Sequence, residues 1–386
     1  MTRLLYVMQS VLPSNKANSI HVAHMSSELL KQSGDVYIIA MRPWYTFNPI
    51  ANASRYYNVD LCGRIKLIPF FGSFTGSAIF YAFVLFLYSL PELLRRDTIA
   101  YSRCVYFSFF VRLLTRSEYI IELHSPLPSS KFRNYLQALL FNSNKAKSLV
   151  VITKSLQRYY QRELFSLGSS LARNITVLPD AAPCLSSYLT HQQSQSLILT
   201  STGKPVALYT GSFAMGKGVD LIIRIALIND SFLFYLVGGD AREIYSTYGF
   251  DYLPPNVVII PRLTYSKIRT YQSMATVLLL PNQECMPTNN ARIDIGIYTS
   301  PLKMFEYMSA KVPIVASDIA PIREILQNKR NAILCNPTSP IEWSTALNYV
   351  YANPTVSSSI ANSAYADYHK NYTWTVRASK VLHLST

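Results

Sequence analysis

The chain has 386 residues, 49% hydrophobic and 15% charged, with 36 lysines and arginines against 21 acids and a formal net charge of +15. This content excludes a disordered polymer and supplies apolar side chains for two cores, which is how a chain of this length ordinarily divides. The basic excess favours anionic partners, whether phosphorylated small molecules, nucleic acid or an acidic membrane surface, without choosing among them.

The opening MTRLLYVMQSVLPS reads as a first strand and not as a signal peptide, because its apolar run is short and broken by Gln9. A cytoplasmic location follows as the expectation. Five cysteines, Cys62, Cys104, Cys184, Cys285 and Cys335, form no CxxC pair. They suggest neither a zinc site nor a disulfide framework, and a reducing compartment fits them.

Short apolar runs then recur: RLLYVMQ at 3–9, VYIIAM at 36–41, TIAYS at 98–102, YIIEL at 119–123, LVVIT at 149–153 and ITVLP at 175–179. A second series comprises VALYT at 206–210, FLFYLVG at 232–238, VVII at 257–260, TVLLL at 276–280 and VPIVAS at 312–317. Continuous short strands alternating with helices are the pattern of parallel sheets covered on both faces. The expectation is an α/β chain with two doubly wound, Rossmann-like domains. Between the series lies the polar stretch 184–204, rich in Ser, Thr and Gln, whose composition marks an interdomain connection.

From Leu67 to Leu90 the chain carries no charge. The run is interrupted by Pro69, Gly72 and Gly76 and ends at Pro91, so it reads as a helix of a packed domain with an unusually apolar outer face, able also to touch a bilayer surface, and not as a span.

In open α/β sheets ligands bind beyond the carboxyl ends of the strands. After the first strand of the second series comes TGSFAMGKGVDLIIRIA, in which Gly211 and Gly218 permit close backbone approach and Lys217 precedes an apolar helix. A lysine beside a helix N-terminus suits a diphosphate; a glycine-rich turn with a solvated lysine is the alternative. Ser300 and Pro301 start a second helix, Pro301 in a first helical position, with Lys303 on the same turn and Glu306 farther in. Glu306 precedes the apolar or small residues Tyr307, Met308 and Ala310, and a partly buried carboxylate needs a hydroxyl or other donor; a surface glutamate near a core helix is the alternative. Two helix N-termini, a lysine and one acid make a nucleotide-diphosphate site.

YTGSFAMGKGVDLI together with SPLKMFEYMSAKVPIVASDIAPIREIL closely resembles the C-terminal domain of family 4 retaining glycosyltransferases, which have the GT-B fold. ANSIHVAHMSSELLKQSGDVYIIA, IIELHSP, VVITKSLQRYY and VLPD are similar to that family's N-terminal landmarks in their order, and YTWTVRASKVL resembles its closing helix. The resemblance implies two Rossmann-like domains facing each other across a cleft: residues 1–183 binding acceptor, a linker at 184–204, residues 205–370 binding donor, and a helix at 371–386 returning to the first domain. It makes Lys217 the diphosphate ligand and Glu306 the acceptor of ribose hydroxyls, with Gly211, Ser212, Gly238, Gly239, Arg262, Ser300, Pro301, Leu302 and Lys303 around the donor. His124, two residues after Glu122, matches the family's active-site histidine. Arg103 leaves the preceding strand, and the loop bearing Ser14, Asn15 and Asn18 meets the acceptor. In two places the chain departs from the family: Ser212 stands where many members have arginine, and Tyr298 where many have the first of two glutamates.

The reading is a retaining glycosyltransferase moving a sugar from a nucleotide-sugar donor to a glycan or lipid-linked acceptor in surface polysaccharide biosynthesis. The protein is expected to work peripherally at an anionic membrane surface, the inner face of the plasma membrane. No metal and no other cofactor is expected, since the chain has no Asp-x-Asp pair and only Asp294 and Glu306 near the phosphate site. The alternatives are a GT-B-fold sugar-nucleotide epimerase and a basic nucleic-acid-binding protein. The charge and 28 tyrosines suggest the latter, but the basic residues are scattered with no arginine-rich run and no RNA-binding signature, and no nucleic-acid partner is expected.

Overall fold

The computed structural model describes residues 2–72, 77–127, 131–185, 203–285 and 296–386. Most of the polar connection at 184–204, and Asp294, lie outside the described residues. The chain forms two compact units, Met1–Asp180 with Trp374–Thr386, and Ala181–Thr373.

The first unit runs β1 (Arg3–Val11), α1 (Ala17–Gln32), β2 (Val36–Pro43), α2 (Pro49–Tyr57), β3 (Ile65–Phe70), α3 (Ala78–Leu93), β4 (Thr98–Ser102), α4 (Val105–Leu114), β5 (Glu118–Leu123), α5 (Lys131–Phe141), β6 (Ala146–Val151), α6 (Lys154–Ser166) and β7 (Ile175–Val177). Its seven strands lie in the order β3-β2-β1-β4-β5-β6-β7, all parallel. The order reverses between β1 and β4, where Leu4 pairs with Ile99 and Val7 with Ser102.

Within the stretch 67–90, α3 buries Tyr81, Ala82, Leu85 and Phe86 and leaves Phe80, Phe83, Leu87 and Tyr88 exposed. The buried residues recur at helical spacing, which gives the helix an inward stripe while its outer face stays apolar. Among the described residues no helix is long and apolar enough to cross a membrane.

The second unit runs β8 (Val206–Thr210), α7 (Val219–Ile228), β9 (Leu233–Val237), α8 (Ala241–Tyr248), β10 (Val257–Ile260), α9 (Tyr265–Met274), β11 (Val277–Leu280), α10 (Leu302–Ser309), β12 (Ile314–Ser317), α11 (Ala320–Arg323), β13 (Ile333–Cys335), α12 (Pro340–Ala352) and α13 (Pro354–Asn371). Its parallel order is β10-β9-β8-β11-β12-β13, reversing between β8 and β11. Alternation along β8 explains why its run is apolar throughout. Val206 and Leu208 pack with Met304, Phe305 and Met308 on one face, while Ala207 and Tyr209 pack with Ile222, Ile225 and Trp343 on the other. After α13 the chain rejoins the first unit through α14 (Trp374–Leu384), which packs on α1.

Candidate active-site residues in the two units

In the second unit the predicted residues gather at the carboxyl ends of the strands, around the reversal between β8 and β11. Gly211 follows β8 with a φ of 146°, and a methyl group there would stand 3.0 Å from the Tyr209 hydroxyl. That hydroxyl donates to the Ser212 carbonyl (2.8 Å), pinning the turn, with the Ser212 side chain exposed. Gly238 is fitted to the same turn: its φ is 132°, and a Cβ would come within 2.3 Å of the Gly211 carbonyl oxygen. At Gly239 a Cβ would run into the Phe213 ring at 2.4 Å. Only glycine allows these two backbone turns to approach so closely.

Lys217 is half-buried at the end of the loop, and burial lowers its pKa. Gly218 after it is left-handed and caps α7, and a Cβ there would lie 1.8 Å from the Pro281 carbonyl oxygen at the exit of β11. The loop carrying Lys217 is thereby pressed against the exit of β11.

From the opposite side comes α10. It begins at Leu302, so Pro301 occupies the cap and not the first helical position, and Ser300 is buried before it. As at any helix start, the first amides lack intrahelical acceptors. The Lys303 ammonium is buried, lies 4.1 Å from the Tyr209 ring centroid and has no hydrogen-bond partner. Burial first, and the nearby Lys217 charge second, hold its pKa well below the ordinary lysine range, with Glu306 acting the other way. Two cations therefore converge on the glycine turns.

Glu306 is 7% exposed. Its Oε1 accepts from the Tyr265 hydroxyl (2.8 Å) and its Oε2 from Gln272 Nε2 (3.2 Å). Gln272 also donates to Thr210 Oγ1 (3.0 Å), and the buried Arg269 bonds the Glu306 carbonyl (2.9 Å), Gln272 and Ser309. A carboxylate has about four acceptor positions, so Glu306 retains capacity for hydroxyl groups while its own chain fixes its orientation. Arg262 is exposed, with Nε 3.3 Å from the Gly238 carbonyl oxygen and Nη2 3.4 Å from Glu243. Tyr298 ends a short 3-10 turn, Gly296–Tyr298, ahead of α10.

Residues 204–353 match the family model described as Glycosyl transferases group 1. The second unit is a group 1 glycosyltransferase domain. No curated protein matches the glycosyltransferase by sequence. Over nearly its whole length it shares its fold with solved structures. One is HepE of Anabaena in complex with UDP, at 13% identity and TM-score 0.68, covering 99% of each chain. A second is a glycosyltransferase from Rickettsia africae, at 12% identity and TM-score 0.71, covering all of this chain and 98% of the other. A third is the sucrose-phosphate synthase of Thermosynechococcus elongatus, at 12% identity and TM-score 0.70, covering 99% and 98%. The two parallel sheets are those of the GT-B fold.

The first unit of the glycosyltransferase holds its own charged cluster. His124, just past β5, bonds Glu122 through Nε2. The fully buried Glu122 also accepts from Tyr101 and from Arg377 Nη2 of α14 (2.9 Å). Burial alone would raise the Glu122 carboxyl, but Arg377 and the histidines outweigh it and hold it well below the usual range. His21 Nδ1 lies 2.8 Å from Asp180 Oδ1, and its ring stands edge-on to His124 (5.5 Å) and Trp374 (4.9 Å). Burial, reinforced by Arg377, pulls the His21 imidazole down to about 4.

His21, Asp180, Arg377 and Tyr101 carry no role in the sequence reading, although the first three fall inside its N-terminal and C-terminal landmark segments. Donor atoms of His21, His124 and Asp180 lie within 4.8 Å of one another, close enough to hold a metal ion. His21 meets Asp180, and His124 meets Glu122, which Arg377 also pairs.

The acceptor-side residues separate. Ser14, Asn15 and Asn18 line a cavity of about 640 Å³ with Lys16, Trp44, Tyr45 and Phe70. Arg103 lines a smaller one of about 190 Å³ with Gln9, Ser10 and Asn18. His124 lines neither.

Proposed function

We propose that the protein transfers a sugar, with retention of configuration, from a nucleotide-sugar donor to a glycan or lipid-linked acceptor in surface polysaccharide biosynthesis. The observation that carries the donor half is the buried Lys303 ammonium without a hydrogen-bond partner, set beside Lys217 at the Gly211 turn. Burying an unpaired cation is costly, and a donor diphosphate is the anion that repays it. HepE, which shares the fold, was solved with UDP and with UDP-glucose, in keeping with this reading. As the diphosphate leaves, its growing charge would meet cations already in place, which lowers the barrier. Lys217, Lys303 and the α10 N-terminus then supply the positive potential a metal would otherwise give. Glu306 orients the ribose, and Arg262 lies along the base.

The net charge of +15 and the exposed apolar face of α3 favour a peripheral place at an anionic membrane. Calorimetry with UDP, GDP and ADP, followed by donor turnover with and without acceptor lipid or glycan, tests the reading. Binding of one nucleotide and acceptor-dependent sugar transfer are expected. Turnover to an epimerised sugar nucleotide without acceptor would replace transfer by epimerisation, and absence of any nucleotide binding would overturn the donor site.

A further inference from the structure

We infer that the crevice at the strand-order reversal of the first unit takes an anionic group of the acceptor, a phosphate or diphosphate ester, with Arg103 as its counter-ion. The inference rests on the transferase reading and specifies its acceptor. Such a reversal opens a crevice between neighbouring strand ends, where α/β sheets bind their ligands. Here it opens where the pairing of β1 with β4 ends, after Val7 and Ser102, and holds the 190 Å³ cavity lined by Met8, Gln9, Ser10, Asn18, Arg103 and Cys104.

Arg103 Nη1 is buried and has no hydrogen-bond partner, and among the described residues Arg103 joins no ion pair. A guanidinium carries five donors in a planar fork matched to phosphate oxygens, and a buried donor without an acceptor costs free energy unless something arrives to accept. No carboxylate lines the cavity, so nothing there repels an anion. Gln9 is already engaged, its Nε2 donating to the Ala78 carbonyl (2.9 Å) and its Oε1 accepting from Cys104 (3.0 Å). That leaves the exposed Asn18 as a neutral donor beside the arginine.

The larger cavity shares Gln9, Ser10 and Asn18 with this one and continues it past Lys16 toward Trp44, Tyr45 and Phe70. Trp44 in turn stacks on the exposed Phe71 at 6.1 Å. The lining thus changes from a cation with polar neighbours to an aromatic wall. An ester whose charged end meets Arg103 and whose body lies on the aromatics fits this order. Both a prenyl phosphate and a free sugar phosphate have that chemistry.

The test uses the full chain and follows fluorescence of Trp44, exposed beside the larger cavity. A short-chain prenyl phosphate in detergent, the matching prenol, and glucose 6-phosphate against glucose are titrated into wild type, Arg103→Met and Arg103→Lys. At least one phosphate should bind about tenfold more tightly than its neutral counterpart. Arg103→Met should abolish that preference, and Arg103→Lys should restore part of it. Preference confined to the prenyl pair assigns a lipid-linked acceptor, and preference confined to the glucose pair a sugar phosphate; either supports the subsite. Equal binding of charged and neutral partners by wild type, or an unchanged preference in Arg103→Met, overturns it. The thermal shift given by nucleoside diphosphates, read on the same samples, should be the same in all three proteins and confirms that they are folded. If that shift is missing from wild type while the phosphate preference stands, the donor reading fails and the anion subsite survives.

Discussion

Replacing Lys303 by methionine should stabilise the second unit and weaken its hold on a nucleoside diphosphate. The buried Nζ lacks a hydrogen-bond partner, and leaving such a donor unsatisfied costs about 1–3 kcal/mol. Methionine removes that cost but forfeits the cation–π contact with Tyr209 at 4.1 Å, worth about 0.5–2 kcal/mol. A sulfur–aromatic contact in its place returns about 0.3–1.5 kcal/mol. The balance is a gain of about 1–2 kcal/mol, or about 2–8 °C in Tm for a unit of this size.

The pH dependence has a definite sign. Lys303 is held well below its ordinary pKa by burial and by Lys217, so the folded protein loses this proton before the unfolded chain does. The wild-type cost is full below the folded value and fades as pH rises toward the unfolded lysine value, so the advantage of methionine should shrink in alkaline solution. Differential scanning fluorimetry at pH 7.5 and 9.5, with and without UDP, GDP and ADP, measures both effects. A variant that melts below wild type without nucleotide and shows the full wild-type shift with it would overturn both expectations.

Glu306→Gln should lower affinity for the correct nucleotide about tenfold, because a neutral amide replaces a charge-assisted acceptor and its NH₂ must face Tyr265 or Gln272; unchanged calorimetric affinity would count against the ribose assignment. His21, drawn down to about 4 chiefly by burial, stays neutral in the fold while the unfolded residue titrates near 6.5. Its contribution is complete above pH 6.5 and is lost, to about 3 kcal/mol, as pH falls toward 4. Urea unfolding at pH 7, 5.5 and 4.5 should show a shallower decline for His21→Gln than for wild type, and parallel declines would remove His21 as the cause. Transfer activity should survive excess EDTA; loss restored specifically by Mn²⁺ or Mg²⁺ would require a carboxylate site beyond those described.

The strands that read most clearly from sequence are those buried on both faces, such as β8 and β9, whose apolar runs have no competing interpretation. Two strands were not expected. β3 (IKLIPF) merges in sequence with the uncharged stretch that follows it and contains Pro69, and β13 has only three residues. Of the donor site, the glycines and Lys217 stand out because glycine placement is a backbone requirement visible in a string of letters. Lys303 is legible as a charge on the same turn, but its burial is not, since a lysine in the first turn of a helix usually faces water and only the packing of Tyr209 and Lys217 around it distinguishes this one. The partners of Glu306 come from α9, some forty residues away, and no spacing rule connects them. His21, Asp180, Glu122 and Arg377 meet only because α1, the end of β7, β5 and α14 are brought together by the fold of the first unit.

The route of the chain through its two units constrains the order in which they can be completed. Residues 374–386 belong to the first unit, yet they follow the whole of Ala181–Thr373. During synthesis Glu122 therefore waits for Arg377 until the second unit has left the ribosome, holding a carboxylate in a nascent core without its cation. A folding pathway in which the first unit closes early and independently is disfavoured by that missing charge. The contiguous second unit can thus be completed as soon as it is synthesised, whereas the first awaits α14.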